Sequence, residues 1–496
     1  MSSRRLKQLV GSGPSSSQLS NPEMGKEMKY SAYADDLTVF IKNKESYYTL
    51  LKILNNFYTV SGLQINLRKT EGLVLGQNTT CFQDIKLNLV NEIKITGVYF
   101  GYNKSKLDDL NFNPILIKMA RRFGLWKGRG LSVFGKTLIA KAQGISQLVY
   151  IATMVIVPDW VIKQATTLVY RFIWNGPDKI SRNLAEKNYD LGGLRTPNIR
   201  FLINGLHASW IPRYCRSGNH PWKLFMEEEF KLACCRISCL TGNFQPALIK
   251  CRPNNVFANA IRTWSKITTS PLEDNIPQIL ESSLWMNNDI TDKKNAPIFY
   301  KRFYDLGYHK VKHLLNNDGK IASFEELQNL PPNSYLEWRS IITALPTKWK
   351  TRIIEHNESN IRAEGSRPDS SDHSQLHVDR AQSGNMDTAQ DRAPHSALPQ
   401  GSDVGDCVNA RNMEICDALL FIDDKSLKIA KVKCNQIYKL LINGSKSSKE
   451  QPFRTRTSEC YGIGDDEWSH LYTLQFNLSN STQLRAFHWK VTHGLV

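Results

Sequence analysis

The sequence predicts an α+β fold, with a small antiparallel sheet and one helix near the N-terminus and a mostly helical chain after it. Three observations carry that expectation. Two β-prone runs, 29–33 and 37–41, flank Ala34-Asp35-Asp36, which is the composition of a hairpin. Apolar residues then recur at 47, 50, 51, 54, 57 and 58, the period of a helix, and Gly62 follows where a left-handed cap belongs. From Pro114 onward the helical period dominates.

In chain order, residues 1–28 hold no Tyr, Phe or Trp and are rich in Ser and Gly, so they read as a flexible leader outside any core. Residues 29–104 form the α+β part, in which Gly72-Leu73-Val74-Leu75 and 93–100 add strand candidates. Residues 105–215 form a basic helical region. Helices are expected over 115–126, 132–143 and 159–174, the last with apolar positions 161, 162, 165, 168, 169, 172 and 173. Residues 216–355 mix helical periodicity with many Asn, Pro and Trp and read as mostly helical. Between Lys350 and Phe421 there is no aromatic residue and no lysine, so 356–411 is expected to be a disordered linker. Periodicity returns at 418–442 and 468–489, which makes 412–496 a small C-terminal helical module.

A chain of 496 residues has room for about three domains, and 41% hydrophobic with 22% charged residues is the composition of a soluble globular protein. Lys and Arg outnumber Asp and Glu by 64 to 46, a net charge of +18 that favours a polyanionic partner. Residues 114–200 hold 14 basic against 4 acidic residues, so more than half of the imbalance sits in about a sixth of the chain. The longest apolar stretch, 145–158, is too short to span a bilayer and reads as a core helix, so no membrane partner is expected. The first residues lack the apolar segment of a secretion signal, which places the chain inside the cell, in nucleus or cytoplasm. Ten scattered cysteines then read as free thiols.

Tyr33-Ala34-Asp35-Asp36 at a hairpin tip has the residue types that hold a hard divalent cation, because adjacent carboxylates can converge on one ion. A solvated turn is the other reading of the same spacing. The tetrapeptide, the helix after it, Ser61-Gly62-Leu63-Gln64-Ile65-Asn66, Asn66-Leu67-Arg68-Lys69-Thr70 and Gly97-Val98-Tyr99-Phe100-Gly101 together resemble, in order and spacing, the palm of reverse transcriptases from non-LTR (LINE-type) retrotransposons. The similarity continues through Trp126-Lys127-Gly128-Arg129, Gly135-Lys136, Phe172-Ile173-Trp174 and Gly192-Gly193-Leu194, which look like that family's thumb and post-thumb segment. It returns more weakly at 484–490 and at His493-Gly494.

The resemblance implies a partial polymerase palm followed by a thumb-like region, with RNA-directed DNA polymerase as the family activity. By it Asp35 and Asp36 are the Mg²⁺ ligands, with Asp35 first, and Tyr33 and Ala34 lie beside the primer terminus and incoming nucleotide. Lys69 matches a basic position that would meet departing pyrophosphate; an exposed cation near a turn is its other reading. RNA and DNA, as a template-primer duplex, are the implied partners. Lys127, Arg129 and Lys136, set among Gly128, Gly130 and Gly135, are candidates for backbone phosphate contact. The family's two-metal site takes a further Asp from an earlier strand, and the first Asp of these 496 residues is Asp35, so the chain is expected to be inactive alone. A non-catalytic nucleic-acid-binding protein using only the basic region is the alternative, and a translated transposon relic is a third reading. Zinc is set low: Cys234, Cys235, Cys239 and Cys251 with His207 and His220 contain no Cys-x-x-Cys pair. His309 and His313 read as surface residues. His488 and His493 fall where the family's cysteine-rich motif begins.

Overall fold

Local turn chemistry builds the N-terminal elements. The computed structural model of the chain describes residues 29–34, 36–76, 85, 87–218, 220–233, 240–244, 252, 254–268, 270–271, 275–327, 330–365, 419–422, 425–444 and 452–495. The leader expected at 1–28 and residues 366–411 of the expected linker lie outside the described residues. Strands β1 (Tyr30–Tyr33) and β2 (Asp36–Val39) pair antiparallel with Tyr33 opposite Asp36. Asn43 caps α1 (Lys44–Ser61) by accepting from the Ser46 backbone N–H at 2.9 Å. Gly62 closes that helix at φ 72°, the left-handed conformation its position suggested. Of the whole helix only Tyr47 is buried.

Further on, β3 (Glu71–Gly72) pairs in parallel with β4 (Asn88–Leu89), so the strand expected at 72–75 is reduced to a short ladder. Where the β-prone run suggests one strand over 93–100, the chain folds back as a second hairpin, β5 (Glu92–Ile95) and β6 (Val98–Gly101). Thr96 and Gly97 both have positive φ, 48° and 89°, as a tight two-residue hairpin turn requires. The α+β class therefore holds, with small antiparallel pairs beside a majority of helix. Among the described residues, however, the strands form separate two-stranded pairs and not one sheet.

The β5–β6 hairpin is fastened to the helical body. Helix α2 (Lys104–Lys127) starts well before Pro114, which lies inside it, because the Asn103 side chain caps the first turn by accepting from the Lys106 N–H at 3.1 Å. Buried Asn111 on α2 accepts from the Tyr99 N–H at 2.9 Å and donates to the Tyr99 carbonyl at 3.1 Å. From the other side the Tyr150 hydroxyl donates to the Thr96 carbonyl at 2.6 Å. Ser132 caps α3 (Val133–Ile139), which runs through a π-helical turn, Ala140–Ile145, into α4 (Ser146–Met154). Gly144 in that turn is required by close approach: a Cβ there would stand 2.3 Å from the ring of Phe123. That ring stacks on Phe172 with centroids 4.6 Å apart.

Helix α5 (Asp159–Trp174) spans the expected residues and buries Val161, Ile162, Ala165, Val169, Phe172 and Ile173, six of the seven expected apolar positions. With α2, α3 and α4 it makes a first core, centred on Phe112, Met119, Leu148 and Tyr170. A second core, around Trp264, Trp285 and Phe303, is built from residues 208–353 together with residues of 420–441. Helix α6 (Ile199–Ala208) joins the two, giving Ile199 and Ile203 to the first and Ala208 to the second. Residues 282–322 are less helical than expected; isolated bridges such as Ser283 with Lys310 and Leu315 with Ile321 hold this Asn-rich stretch.

The C-terminal segments do not stand apart as a module of their own. Leu420 on β7 (Leu419–Ile422), which pairs with β8 (Lys425–Lys428), lies in the second core with Ile429 and with Ile437 of α7 (Cys434–Gly444). The Tyr438 hydroxyl accepts from the Asn198 N–H at 2.9 Å. Helix α8 (Asp465–Leu478) leads to α9 (Thr482–Thr492), whose Ala486 and Trp489 enter the first core. The expected linker also begins later than its composition implied, since the helix Thr347–Gly365 runs past residue 356.

Candidate nucleic-acid interface

The hairpin tip is shaped by its register. Because Tyr33 and Asp36 are directly paired, their side chains share one face. Both are exposed, Tyr33 to 71%. Ala34 takes φ 52°, a left-handed conformation that costs a residue with a Cβ roughly 1–2 kcal/mol. Asp35 lies outside the described residues. Lys69 is exposed in a turn held by Asn66, whose carbonyl accepts from the Lys69 N–H at 3.0 Å and whose side chain accepts from the Arg68 N–H at 3.1 Å. No hydrogen bond or ion pair joins Lys69 to Asp36, so the structure does not assemble these two expected site residues directly.

The donor set at the tip suits Mg²⁺ in kind, being carboxylate oxygen. Among the described residues no group of three or more His, Cys, Asp or Glu side chains converges, and Asp36 contributes one carboxylate. By the resemblance Asp36 would hold the ion together with Asp35.

The basic candidates are better assembled. Lys127 ends α2 and is exposed; Arg129 follows two residues later with its guanidinium over the Trp126 ring, 4.9 Å from the centroid. Lys136 on α3 is half-buried. Burial first, and then the charges of Lys490, Lys179 and Lys127, hold its ammonium below the ordinary lysine range. Lys136, Lys179 and Lys490 line one open cleft of about 340 Å³, with Trp174 and Phe487 in its walls. Lys127 and Arg129 stand outside those walls. The acid next to Lys179 in sequence, Asp178, is engaged by Arg182 at 2.7 Å.

Lys179 and Lys490 are the residues that sequence reasoning missed. Lys179 lies in the loop that leaves α5, and Lys490 arrives with α9, anchored by Trp489, whose indole N–H donates to the Gly192 carbonyl at 3.1 Å. Spacing carries no signal for that convergence; the only hint was the similarity across 484–490. Phe172 and Trp174 are core residues, as expected of aromatics on a buried helical face.

The buried histidines are structural. His207 has Nε2 2.7 Å from the Ala152 carbonyl oxygen and Nδ1 2.7 Å from the Asn259 amide. Burial lowers its pKa, so it is neutral at pH 7. His220 is exposed, and Cys234, Cys235, Cys239 and Cys251 lie outside the described residues. His309 is not a surface residue: it is buried against Tyr304, ring centroids 4.8 Å apart. His493 is buried as well, stacked on Trp489 at 4.1 Å. Cys215, Cys434 and Cys460 are in no disulfide. Among the described residues no helix is long and apolar enough to cross a membrane. A scan of the chain against known protein families finds no match.

Proposed function

We propose that the chain derives from a LINE-type reverse transcriptase, with RNA-directed DNA polymerase as its family activity, and that by itself it binds nucleic acid without synthesising DNA. The observation that supports this reading is the hairpin, whose register pairs Tyr33 with Asp36 beside its turn, ahead of the other motifs in the family's order. Mg²⁺ held by Asp35 and Asp36 would stabilise the oxygens of a phosphoryl transfer. The 496 residues supply no Asp ahead of Asp35 to complete a two-metal set. Primer extension with Mg²⁺ or Mn²⁺ tests the catalytic half: no product is expected, and extension that disappears in Asp35→Asn would overturn it.

The non-catalytic reading is favoured by a specific feature, the gathering of uncompensated cations around Lys136. Binding of a labelled RNA–DNA hybrid should be sequence-tolerant and salt-sensitive. Neutralising Lys127, Arg129 and Lys136 together should flatten the dependence of log K on log salt by roughly 0.9 for each phosphate that no longer meets a cation. An unchanged slope would place the interface elsewhere, and no binding at low salt would leave the transposon relic.

A further inference from the structure

The C-terminal helix carries a lysine to a place that chain order gives no reason to expect. Lys490 of α9, Lys136 of α3 and Lys179 after α5 line the same cleft, and none of the residues lining it is acidic. Among the described residues none of these three ammonium groups takes part in an ion pair. Three like charges gathered in one cleft repel one another and contribute nothing favourable to the fold, and beside the burial that chiefly depresses Lys136 the charges of Lys490 and Lys179 act in the same direction, but a bound anion converts that repulsion into attraction. The walls fit an anion that carries a ring or a sugar: Phe487, on which such a group could stack, is 56% exposed.

We infer that Lys136, Lys179 and Lys490 form one phosphate-binding cleft, completed by the C-terminal helix, which takes the phosphate groups of a nucleic-acid strand or of a free polyphosphate. The strand as source rests on the nucleic-acid reading above; the cleft itself does not. It is distinct from Lys127 and Arg129, which lie outside its walls. Occupancy relieves the repulsion on Lys136, so a bound phosphate raises the proton affinity of that amine and slows its acylation.

The test uses the full chain with two probes, inorganic tripolyphosphate and a labelled RNA–DNA hybrid. The variants are Lys179→Gln, Lys490→Gln and their double, all at exposed positions. Lys301→Gln, an exposed lysine of the second half, is the charge-matched control. Tripolyphosphate affinity should fall roughly tenfold for each lysine replaced, the size of a charge-assisted contact, and stay unchanged in the control. Tripolyphosphate should also protect Lys136 from acylation in the wild type and not in the double variant. A parallel fall in hybrid affinity, with a flatter salt slope, identifies the strand as the source. A fall for tripolyphosphate alone upholds the cleft as a free-polyphosphate site and removes the strand from it. If hybrid binding depends on Lys127 and Arg129 while both probes ignore Lys179 and Lys490, the cleft inference fails and the nucleic-acid reading survives. Absence of tripolyphosphate binding, or an equal fall in the control, also overturns it.

Discussion

The hairpin region, 29–76, and the helical body that follows hold their elements in opposite ways. In the first, β1–β2 and α1 are set by turns and caps, and Tyr33, Tyr48, Tyr58, Val60, Leu63, Ile65, Leu67 and Leu75 remain exposed. In the second, Trp264, Trp285 and Trp489 are fully buried, and most apolar residues find partners. The residues whose order resembles a polymerase palm lie on the weakly packed part, whereas the assembled cations lie on the well-packed part. Local sequence thus suffices to draw a hairpin, but tertiary packing is needed to bring Lys136, Lys179 and Lys490 to one cleft.

The largest expected break comes from Trp489→Ala. Removing a fully buried indole should cost about 3–5 kcal/mol, read as a lower urea midpoint, and should loosen α9 and with it Lys490. If stability stays within error, α9 is not part of the first core.

A second test sharpens the contrast at an ion-pair cluster of the helical body. Glu281 lies between Lys310 at 2.5 Å and Lys312 at 2.6 Å, with its side chain 14% exposed. Burial pushes its pKa up, but the hydrogen bonds and charges of the two lysines outweigh burial and leave it below the ordinary carboxylate value. Its folded pKa being depressed, the stabilisation is complete above the unfolded value and is lost as pH falls through the folded one. Glu281→Gln should cost about 2 kcal/mol at pH 7, with a smaller penalty toward pH 4. Urea titrations at both pH values check the sign, and a penalty that grows in acid would refute the ion-pair account.

Smaller effects are expected in the hairpin region. Ala34→Gly should stabilise the β1–β2 turn by about 1 kcal/mol, because glycine adopts positive φ without the Cβ clash. Amide exchange at Phe40, whose N–H donates to the Lys29 carbonyl at 2.8 Å, reports it, and faster exchange in the variant would count against the turn. Smallest of all, Val60→Ala on α1, 71% exposed, should move global stability by no more than about 0.5 kcal/mol. A drop of several kcal/mol there would mean that this face is covered in solution.

What the sequence made legible follows the same division. The hairpin around 34–36, the cap at Gly62 and the full length of α5 were readable because each depends on neighbours within a few residues. Thr96-Gly97 was written in equally local terms, but the uninterrupted β-prone run hid the reversal. Pro114 misled because proline suits a first helical turn, and the Asn103 cap had already started the helix. Of the site, Lys136 was legible from its basic, glycine-rich surroundings. Lys179 and Lys490 were not, since their association with Lys136 passes through the docking of Trp489 on Gly192 and its stacking with Trp174.

That docking also sets an order of events. Trp489 and Gly192 are 297 residues apart, so on a ribosome making about 5–20 residues per second the segment holding Gly192 and Trp174 is exposed on the order of 15–60 s before its indole partner is synthesised. During that interval the aromatic surface around Phe134 and Trp174 is open to water and to other chains. Until α9 is made, the first core therefore presents an apolar face that the folded chain covers with Trp489.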